Sequence, residues 1–429
     1  FSGMTTLSHW LQRLETLHPA PMALGLERVS QVYERLNLDF STTQVITVAG
    51  TNGKGSVVEL LQNLLLDAGQ RVGAYTSPHL LRYNERVRIN GEELTDEALI
   101  AAFEAVDKCR QDVALTYFEF GTLAALQSFA GARLDYLVLE VGLGGRLDAV
   151  NIIDPDLCVI TSIDLDHQAW LGNDRETIGA EKAGIFRARV PVICGDPEPP
   201  ASVLRQADAL NCPIYCLGRE FQITALEGLH FEGVNAQGSR TQVDYSAPYT
   251  LLPANIATAI QAALLLEGVV VREWQALASS VPGRQQRIDF DGIDIVFDVS
   301  HNPAAARALA TRLQTLEPVE RCCALFGVMS DKAIGDIIAP MKPVIDAWFL
   351  GDLVGNARAK PARDLAPLLH AQGISMISVS KNMRQAFARA VSLLEPGHRL
   401  VVFGSVFTVA AVMEIIERRK SRRSLEEDI

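Results

Sequence analysis

The sequence lacks the features expected of membrane-spanning, redox-active and nucleic-acid-binding proteins. No apolar run is long enough to span a bilayer, and His9, Arg13 and Glu15 interrupt the first apolar positions, so we expect no membrane partner and no signal peptide. Seven cysteines, an odd number without CxxC spacing, indicate reduced thiols and a cytoplasmic protein. The formal net charge of −12 argues against nucleic acid as the main partner.

Length and composition predict two globular domains. The chain has 429 residues, of which 48% are hydrophobic and 21% charged, and this length exceeds the size at which one core usually keeps growing. Pro282 and Gly283 mark a hinge, so we place the domain boundary just after it and expect domains at residues 1–285 and 286–429.

A glycine-rich loop near the start of the first domain predicts nucleotide binding. An apolar run at residues 45–49 breaks at Gly50, and helical spacing follows from residue 57. A strand, a glycine loop and a helix together can hold phosphate, and Lys54 supplies charge for its outer oxygens. The loop departs from GxxxxGK[ST], with Val48 at the first glycine position and Gly55 directly after the lysine; the alternative is a plain strand-to-helix turn. The predicted ATP-binding residues of the loop are Thr51, Asn52, Gly53, Lys54, Gly55 and Ser56.

Polar residues follow three further strands of this domain. Ser77 ends one strand, Glu140 closes a buried strand as in a Walker B element, and His167 follows a third. Because residues just past the carboxyl ends of parallel strands line the ligand crevice, we expect these three side chains to converge near the glycine loop. Ser77 as a mere turn cap and His167 as a structural histidine are the alternatives.

Three other segments allow two interpretations from the residues alone. Aromatic residues 117, 118 and 120 start a helix and favour a core role over a ligand platform. Residues 142–146 form a glycine run that is a weak signal by itself. Lys182 lies in a helical segment and, without further information, is a solvated lysine.

The second half predicts a smaller α/β domain. Residues 293–299 form a strand that delivers Asp298 and His301 ahead of a helix beginning near Pro303. Strands and helices then alternate, without another glycine loop or a GxGxxG. The expected fold class is therefore α/β, with a P-loop parallel-sheet ATPase domain followed by a smaller Rossmann-like C-terminal domain.

Six motifs in order resemble those of the folylpolyglutamate synthases, which belong with the Mur ligases of peptidoglycan synthesis. The motifs lie at residues 50–56, 76–80, 140–149, 166–167, 181–185 and 297–303, and the resemblance covers nearly the whole chain. In this family the glycine between the lysine and the serine is the usual variant. Two further stretches, residues 24–29 and 116–119, resemble the pteroate-binding segments of bifunctional enzymes that also act as dihydrofolate synthases.

The resemblance implies a role for specific residues. Ser77 and Glu140 would hold one Mg²⁺, and His167 with a carbamylated Lys182 a second. Asn255, Arg284 and Asp298 would contact ATP, and His301 would position glutamate or its amine. The implied substrate-binding residues, in which the aromatic run becomes a ligand contact, are Ala23, Leu24, Gly25, Thr116, Tyr117, Phe118, Glu119, Leu147, Asp148 and Ala149.

The implied reaction is ATP-dependent ligation of L-glutamate to dihydropteroate and to the γ-carboxylate of reduced folates, through an acyl phosphate and with two Mg²⁺ ions. Lys54, Lys182 and His301 would be its catalytic residues, and the protein would be a cytoplasmic monomer. One alternative is a Mur-type ligase acting on a nucleotide-linked muramyl substrate, although only a helical pair precedes the glycine loop. Another is a non-catalytic P-loop regulator, which would leave the metal-binding residues unexplained.

Overall fold

The computed structural model describes residues 6–20, 22–246, 248–269, 271 and 281–427. The chain divides into two compact units, Phe1–Ser279 and Ser280–Ile429. The division lies N-terminal to the boundary expected from sequence, because residues 286–290 form a strand of the second unit and residues 281–285 lead into it. In the part of the chain described, no helix combines the length and apolarity needed to cross a membrane.

The first unit begins with the predicted helical pair. These helices are α1 (Leu7–Leu17) and α2 (Glu27–Leu36). Thr6 caps α1 by accepting a hydrogen bond from the His9 N–H, and α2 ends at Asn37 in the left-handed conformation. Their apolar faces join one hydrophobic core with the helices that flank the central sheet.

An eight-stranded sheet forms the centre of the first unit. Its strands are β1 (Gln44–Ala49), β2 (Val72–Tyr75), β3 (Val87–Ile89), β4 (Glu92–Glu93), β5 (Tyr136–Glu140), β6 (Leu157–Ile160), β7 (Val192–Cys194) and β8 (Ile214–Cys216). The order is β4-β3-β2-β5-β1-β6-β7-β8, and only β3 and β4 run antiparallel to their neighbours. Asn90 and Gly91 make the predicted tight turn, with φ of 52° and 85°. The carboxyl ends of β1, β2, β5 and β6 therefore meet at one edge.

Helices cover this sheet. They are α3 (Lys54–Asp67), α4 (Asp96–Arg110), α5 (Tyr117–Ala130), α6 (Gln168–Leu171), α7 (Arg175–Ala183), α8 (Ala201–Ala209) and α9 (Pro253–Leu264). A small antiparallel sheet of β9 (Gln222–Ala225), β10 (Leu229–Val234) and β11 (Arg240–Tyr245) occupies the region where sequence suggested only hairpins. The Gln261 side chain joins it to α9, since its amide pairs with both the N–H and the C=O of Val234, at 3.0 and 2.6 Å.

The second unit is the predicted Rossmann-like domain. Its strands are β12 (Gln286–Phe290), β13 (Ile293–Asp298), β14 (Cys322–Phe326), β15 (Ala347–Gly351), β16 (Ile377–Ser380) and β17 (Arg399–Phe403). Its helices are α10 (Pro303–Thr315), α11 (Ile334–Met341), α12 (Ala362–Ala371), α13 (Met383–Leu393) and α14 (Val406–Glu427). The order is β12-β13-β17-β14-β15-β16, parallel except for β12. Sequence did not predict β12, because an edge strand buried on one side lacks a continuous apolar run.

Candidate active site

The glycine loop after β1 needs glycine at two positions. Gly50 has φ of 150°, and a Cβ there would lie 1.8 Å from the Thr161 hydroxyl. Gly53 has φ of 85° and precedes α3, which begins at Lys54 without a side-chain cap. A helix N-terminus aimed at the end of a strand is a favourable place for phosphate, as the sequence predicted.

Residues after β6 support this loop from the neighbouring strand. Ser162 accepts from the Thr51 N–H at 2.7 Å through its carbonyl and from the Asn52 N–H at 3.1 Å through its hydroxyl. The Thr161 hydroxyl donates to the Asn52 carbonyl at 2.6 Å. Sequence reasoning missed both hydroxyl residues, because their role depends on β6 lying beside β1 in the sheet.

Lys54 and Asn255 both lie at this loop. The Lys54 ammonium donates to the carbonyls of Gly50 and Thr51 at 2.9 and 3.3 Å, so its charge is held over the loop. Asn255, in the first turn of α9, packs against the loop so closely that a Cβ on Gly53 would lie 2.4 Å from its Oδ1. The structure thus brings the predicted ATP contact Asn255 to the predicted phosphate loop.

Ser77 and Glu140 meet where β2 and β5 end. The Ser77 N–H donates to the Glu140 carboxylate at 3.0 Å, and Glu140 is only 4% exposed. The same carboxylate faces the start of α3, since a Cβ on Gly55 would lie 3.7 Å from Glu140 Oε2. A buried carboxylate beside a hydroxyl residue and a phosphate loop is a suitable donor set for Mg²⁺.

His167 follows β6 in a strained conformation beside a buried carboxylate. It has φ of 49°, its N–H donates to Asp166 at 2.8 Å, and its Nε2 lies 3.8 Å from Asp166 Oδ2. The segment is tied to the glycine loop, because the Thr51 hydroxyl donates to the Asp164 carbonyl at 3.1 Å and accepts from the Asp164 N–H at 3.0 Å. His167 therefore stays close to the loop even though the two are far apart in sequence.

Lys182 is a buried cation, so the interpretation of it as a solvated helix lysine is wrong. It lies in the last turn of α7 and is 3% exposed. Burial and the positive charge of Lys54 together lower its pKa to about 7, although Asp166 and Asp148 act in the opposite direction. These causes also place Lys182 within electrostatic range of the glycine loop and of two site carboxylates.

The glycine run after β5 lets the chain lie directly on the Lys182 turn. The Arg146 N–H donates to the Glu181 carbonyl at 2.9 Å, and a Cβ on Gly145 would lie 2.9 Å from the carbonyls of Glu181 and Lys182. Asn151 fastens the contact, since its side-chain amide donates to the carbonyls of Arg146 and Gly184 at 3.0 and 3.2 Å. The glycine run therefore allows these two segments to pack closely against each other.

Replacing Gly145 should disturb this contact. We expect Gly145→Ala to lower the free energy of unfolding by about 1–3 kcal/mol, because two backbone carbonyls must move to admit the methyl group. Gly131→Ala is the matched control: Gly131 has φ of −78°, and its Cβ would meet only the Ser128 carbonyl at 4.0 Å. Urea unfolding of both variants checks the difference, and equal stabilities would contradict the packing role.

Asp148 organises the same loop from inside. Its carboxylate accepts hydrogen bonds from the N–H groups of Gly142, Leu143 and Val150 at 3.0, 2.9 and 3.0 Å. Burial raises its pKa to about 6, although these hydrogen bonds and Lys54 act in the opposite direction. Leu147 beside it is half-buried, and Ala149 is buried at the start of a 3₁₀ turn, Ala149–Ile152.

The predicted pteroate segments are joined by an ion pair. Thr116 caps α5, and Glu119 accepts from the Thr116 N–H at 2.8 Å and from Arg28 Nη2 at 2.8 Å. Arg28 also donates to the Ala23 carbonyl at 3.1 Å, which fixes the stretch containing Leu24 and Gly25 beside the start of α5. The Glu119 carboxylate, proposed from the resemblance as a ligand contact, thus has a clear structural role.

The aromatic run reaches the Asp148 loop. A Cβ on Gly142 would lie 2.6 Å from the Phe118 ring, and the rings of Phe118 and Tyr75 are 6.1 Å apart. Tyr117 lies at the other side of the helix start, with its ring 6.0 Å from that of Tyr83. Two of the predicted substrate segments are therefore neighbours in the structure.

The second unit presents its own polar cluster at the end of β13. Asp298 is buried and accepts from the N–H groups of Gln285 and Ser300 at 3.0 and 2.9 Å. Burial raises its pKa, opposed by hydrogen bonds from Ser300 and the charge of Arg284. His301 Nδ1 lies 2.9 Å from the Val299 carbonyl, which orients the ring. Arg284, Asp298 and His301 thus share one strand end.

The buried amine of Lys182 should also make stability depend on pH. Between its folded pKa of about 7 and its ordinary value of 10.5, the unfolded chain binds more protons, so stability rises with pH. In CO₂-free buffer, raising the pH from 7 to 9 should stabilise the wild type by about 2 kcal/mol relative to Lys182→Met. Urea unfolding at both pH values measures this gain. Lys108→Met, at an exposed position of α4, should follow the wild type, and parallel curves for Lys182→Met would contradict the prediction.

Comparison with known proteins identifies the family. Residues 48–223 match the Mur ligase middle domain, and residues 283–406 match the Mur ligase glutamate ligase domain. The dihydrofolate synthase/folylpolyglutamate synthase of Escherichia coli is 43% identical, with 97% of this chain and 96% of that protein covered.

Solved structures extend the likeness to the fold. E. coli FolC in complex with DHPP and ADP is 40% identical to this chain and has a TM-score of 0.89. The match covers 97% of this chain and 99% of that one. A bifunctional folylpolyglutamate synthase/dihydrofolate synthase with Mn, AMPPNP and L-glutamate bound is 40% identical, with a TM-score of 0.86 and coverage of 96% of this chain and 98% of that one. The chain therefore belongs to the dihydrofolate synthase/folylpolyglutamate synthase family of Mur ligases.

Proposed function

We propose that this chain is an ATP-dependent ligase that joins L-glutamate to dihydropteroate and to the γ-carboxylate of reduced folates. The observation that carries the proposal is the gathering of a phosphate loop, the buried carboxylates of Glu140 and Asp148 and the buried amine of Lys182 around the strand ends of one sheet. The ligands of the related structures, DHPP, ADP, AMPPNP, Mn and L-glutamate, fit this reaction.

The reaction needs an activated carboxylate, because an amine cannot displace oxide from a carboxylate at neutral pH. The substrate carboxylate attacks the γ-phosphoryl group of ATP, ADP leaves, and an acyl phosphate results. The amino group of glutamate then attacks the acyl carbon, and phosphate leaves. Lys54 and the N–H groups at the start of α3 stabilise the charge on the transferring phosphoryl group, which is the main contribution a protein can make to such a step.

The residues present fit two divalent cations. Ser77 and Glu140 would hold one Mg²⁺, since the buried Glu140 carboxylate already lies between the end of β2 and the start of α3. His167 and a carbamylated Lys182 would hold the second. When bound, these ions supply Lewis-acid stabilisation of the phosphoryl and acyl oxygens.

Burial favours carbamylation of Lys182. A neutral amine adds CO₂ to form a carbamate and releases one proton, and a lysine with a pKa of about 7 is substantially neutral at physiological pH. The modification would convert the buried amine into an anion, which the Lys54 ammonium attracts, whereas it repels a protonated Lys182. The anion would then be a suitable metal ligand.

The remaining residues would divide between the substrates. Residues 1–285 would bind ATP and the pterin, and residues 286–429 would supply the glutamate-ligase part. Asn255 would contact ATP beside Gly53, and Arg284 and Asp298 are the other two predicted ATP contacts. His301 would position glutamate. The predicted pterin contacts in the first unit are Ala23, Leu24, Gly25, Thr116, Tyr117, Phe118, Glu119, Leu147, Asp148 and Ala149.

One experiment tests the function and separates it from the alternatives. ADP release should be measured with dihydropteroate plus glutamate, with tetrahydrofolate plus glutamate, with each acceptor alone and with neither, and the products should be weighed by mass spectrometry. We expect ADP release to require an acceptor and glutamate, and each acceptor to gain one glutamyl mass per cycle. Release without any acceptor would favour the regulator, and turnover only with a nucleotide-linked muramyl acceptor would favour a Mur-type ligase.

The cysteines support a reducing compartment. All seven are free, and no disulfide joins any pair of them. Burial raises the pKa of the Cys158 and Cys322 thiols, which keeps them protonated and unreactive. We place the protein in the cytoplasm on this basis.

A further inference from the structure

Among the residues that the structure describes, no acidic side chain pairs with a buried arginine next to the pterin segments. Arg86 is 8% exposed, yet among the described residues no carboxylate lies within ion-pairing distance of its guanidinium. Glu85, its neighbour in sequence, instead accepts hydrogen bonds from the N–H groups of Leu80, Leu81 and Arg82 at 2.7, 2.8 and 2.7 Å. Burying a cation without a counterion is costly, so such a residue calls for an explanation.

The guanidinium of Arg86 is held in place, but only part of its hydrogen-bonding capacity is used. Its Nε donates to His79 Nδ1 at 2.8 Å, and the group lies over the rings of Tyr83 and Tyr117 at 5.2 and 5.5 Å. Within the described part of the chain no residue accepts a hydrogen bond from either Nη group, and both Nη groups retain access to solvent. Arg86 therefore presents two charged donors in a fixed orientation.

Aromatic residues surround the guanidinium and connect it to the predicted pterin contacts. Tyr117 and Phe118 are consecutive in the predicted pteroate segment, and Tyr75, whose ring is 6.1 Å from Phe118, lies within electrostatic range of both Arg86 and Asp148. The oriented donors thus lie beside aromatic rings and near a predicted pterin contact.

We propose that Arg86 is a substrate-binding residue whose Nη groups donate to an oxygen of the pteridine substrate. The inference rests on the proposed function. The hydrogen-bond acceptor would be a carbonyl or carboxylate oxygen of the substrate. One candidate is the 4-oxo group of the pterin, which dihydropteroate and folates share. The other is the α-carboxylate of the glutamyl tail, which only folates carry. His79 is a positioning residue that orients the guanidinium through Nε.

Arg88 offers a matched control two residues further on. It lies in β3, is also largely buried, and pairs with Glu59 on α3, so its charge is already satisfied. Arg86→Gln and Arg88→Gln each remove a buried guanidinium from the same segment. Only the first should affect substrate binding, whereas the second, which leaves Glu59 unpaired, should lower stability.

The test is steady-state kinetics with dihydropteroate and with tetrahydrofolate as acceptors, together with urea unfolding. We expect Arg86→Gln to raise KM about 10- to 100-fold, as for loss of hydrogen bonds from a charged group, and Arg86→Lys to give an intermediate value. A rise with both acceptors identifies the pterin oxygen, and a rise with tetrahydrofolate alone identifies the α-carboxylate. If the KM values of Arg86→Gln for both acceptors are no higher than those of Arg88→Gln, the proposal is overturned. Wild-type turnover tests the function separately, so a chain without ligase activity fails there and not at Arg86.

Discussion

Lys54→Ala should reduce kcat for acceptor-dependent ADP release by about 10³-fold, the scale of losing a preorganised charged group that stabilises a transition state. The ammonium already lies over the loop, held by the carbonyls of Gly50 and Thr51 at 2.9 and 3.3 Å. ATP phosphates would replace weak carbonyl acceptors with anionic oxygens, which gain charge as the γ-phosphoryl group transfers. The loss should therefore appear mainly in kcat.

The control for this variant is Lys108→Ala, at an exposed position of α4 outside the site. Lys108→Ala should retain wild-type rates. Both Lys54→Ala and Lys108→Ala should keep a wild-type unfolding transition, because neither lysine lies in the hydrophobic core. ADP release coupled to glutamate, measured over a range of ATP concentrations, separates kcat from KM. Near-wild-type kcat in Lys54→Ala would show that the glycine loop does not serve phosphoryl transfer.

Lys182→Ala should lower kcat by about 10²- to 10³-fold, because it would remove the proposed carbamate ligand and leave the proposed second metal position incomplete. If a carbamate is the active form, short carboxylic acids such as acetate or formate should partly restore the rate by entering the space left by the side chain. Wild-type activity should in turn rise with added bicarbonate after the protein has been stripped of CO₂ at low pH. Both measurements use glutamate-dependent ADP release.

Lys182→Arg separates carbamylation from the need for a cation. Arginine keeps the positive charge and cannot form the carbamate under these conditions, so this variant should be inactive and unresponsive to bicarbonate. An active Lys182→Arg, or a failure of carboxylic acids to restore Lys182→Ala combined with an unmodified lysine mass in the wild type, would rule out the carbamate.

Local signals made the nucleotide loop and its strand-end partners predictable. The glycines around Lys54 indicate a turn whose backbone conformation other residues rarely adopt. The buried strand before Glu140 indicates that this carboxylate lies at a sheet edge. In the structure the Ser77 N–H donates to the Glu140 carboxylate and Asn255 lies beside Gly53, so these predicted Mg²⁺ and ATP contacts lie close to the glycine loop. The sequence did not predict β12. This edge strand alternates between exposed and more buried residues, so it lacks a continuous apolar run.

What the sequence by itself determined is the chemistry available: a phosphate loop, carboxylates and a histidine after parallel strands, and an ordered motif set that belongs to one ligase family. The tertiary structure alone decided which of these groups are buried and what faces them. Lys182 looked like a surface lysine, and its pKa is lowered because α7 packs against the Gly145 run, which buries the amine near the positive charge of Lys54. Arg86 and the hydroxyls of Thr161 and Ser162 gave no sequence signal, since their partners are set by strand order and helix docking between residues distant in the chain. Burial and electrostatic environment depend on these long-range neighbours, which a local pattern does not record.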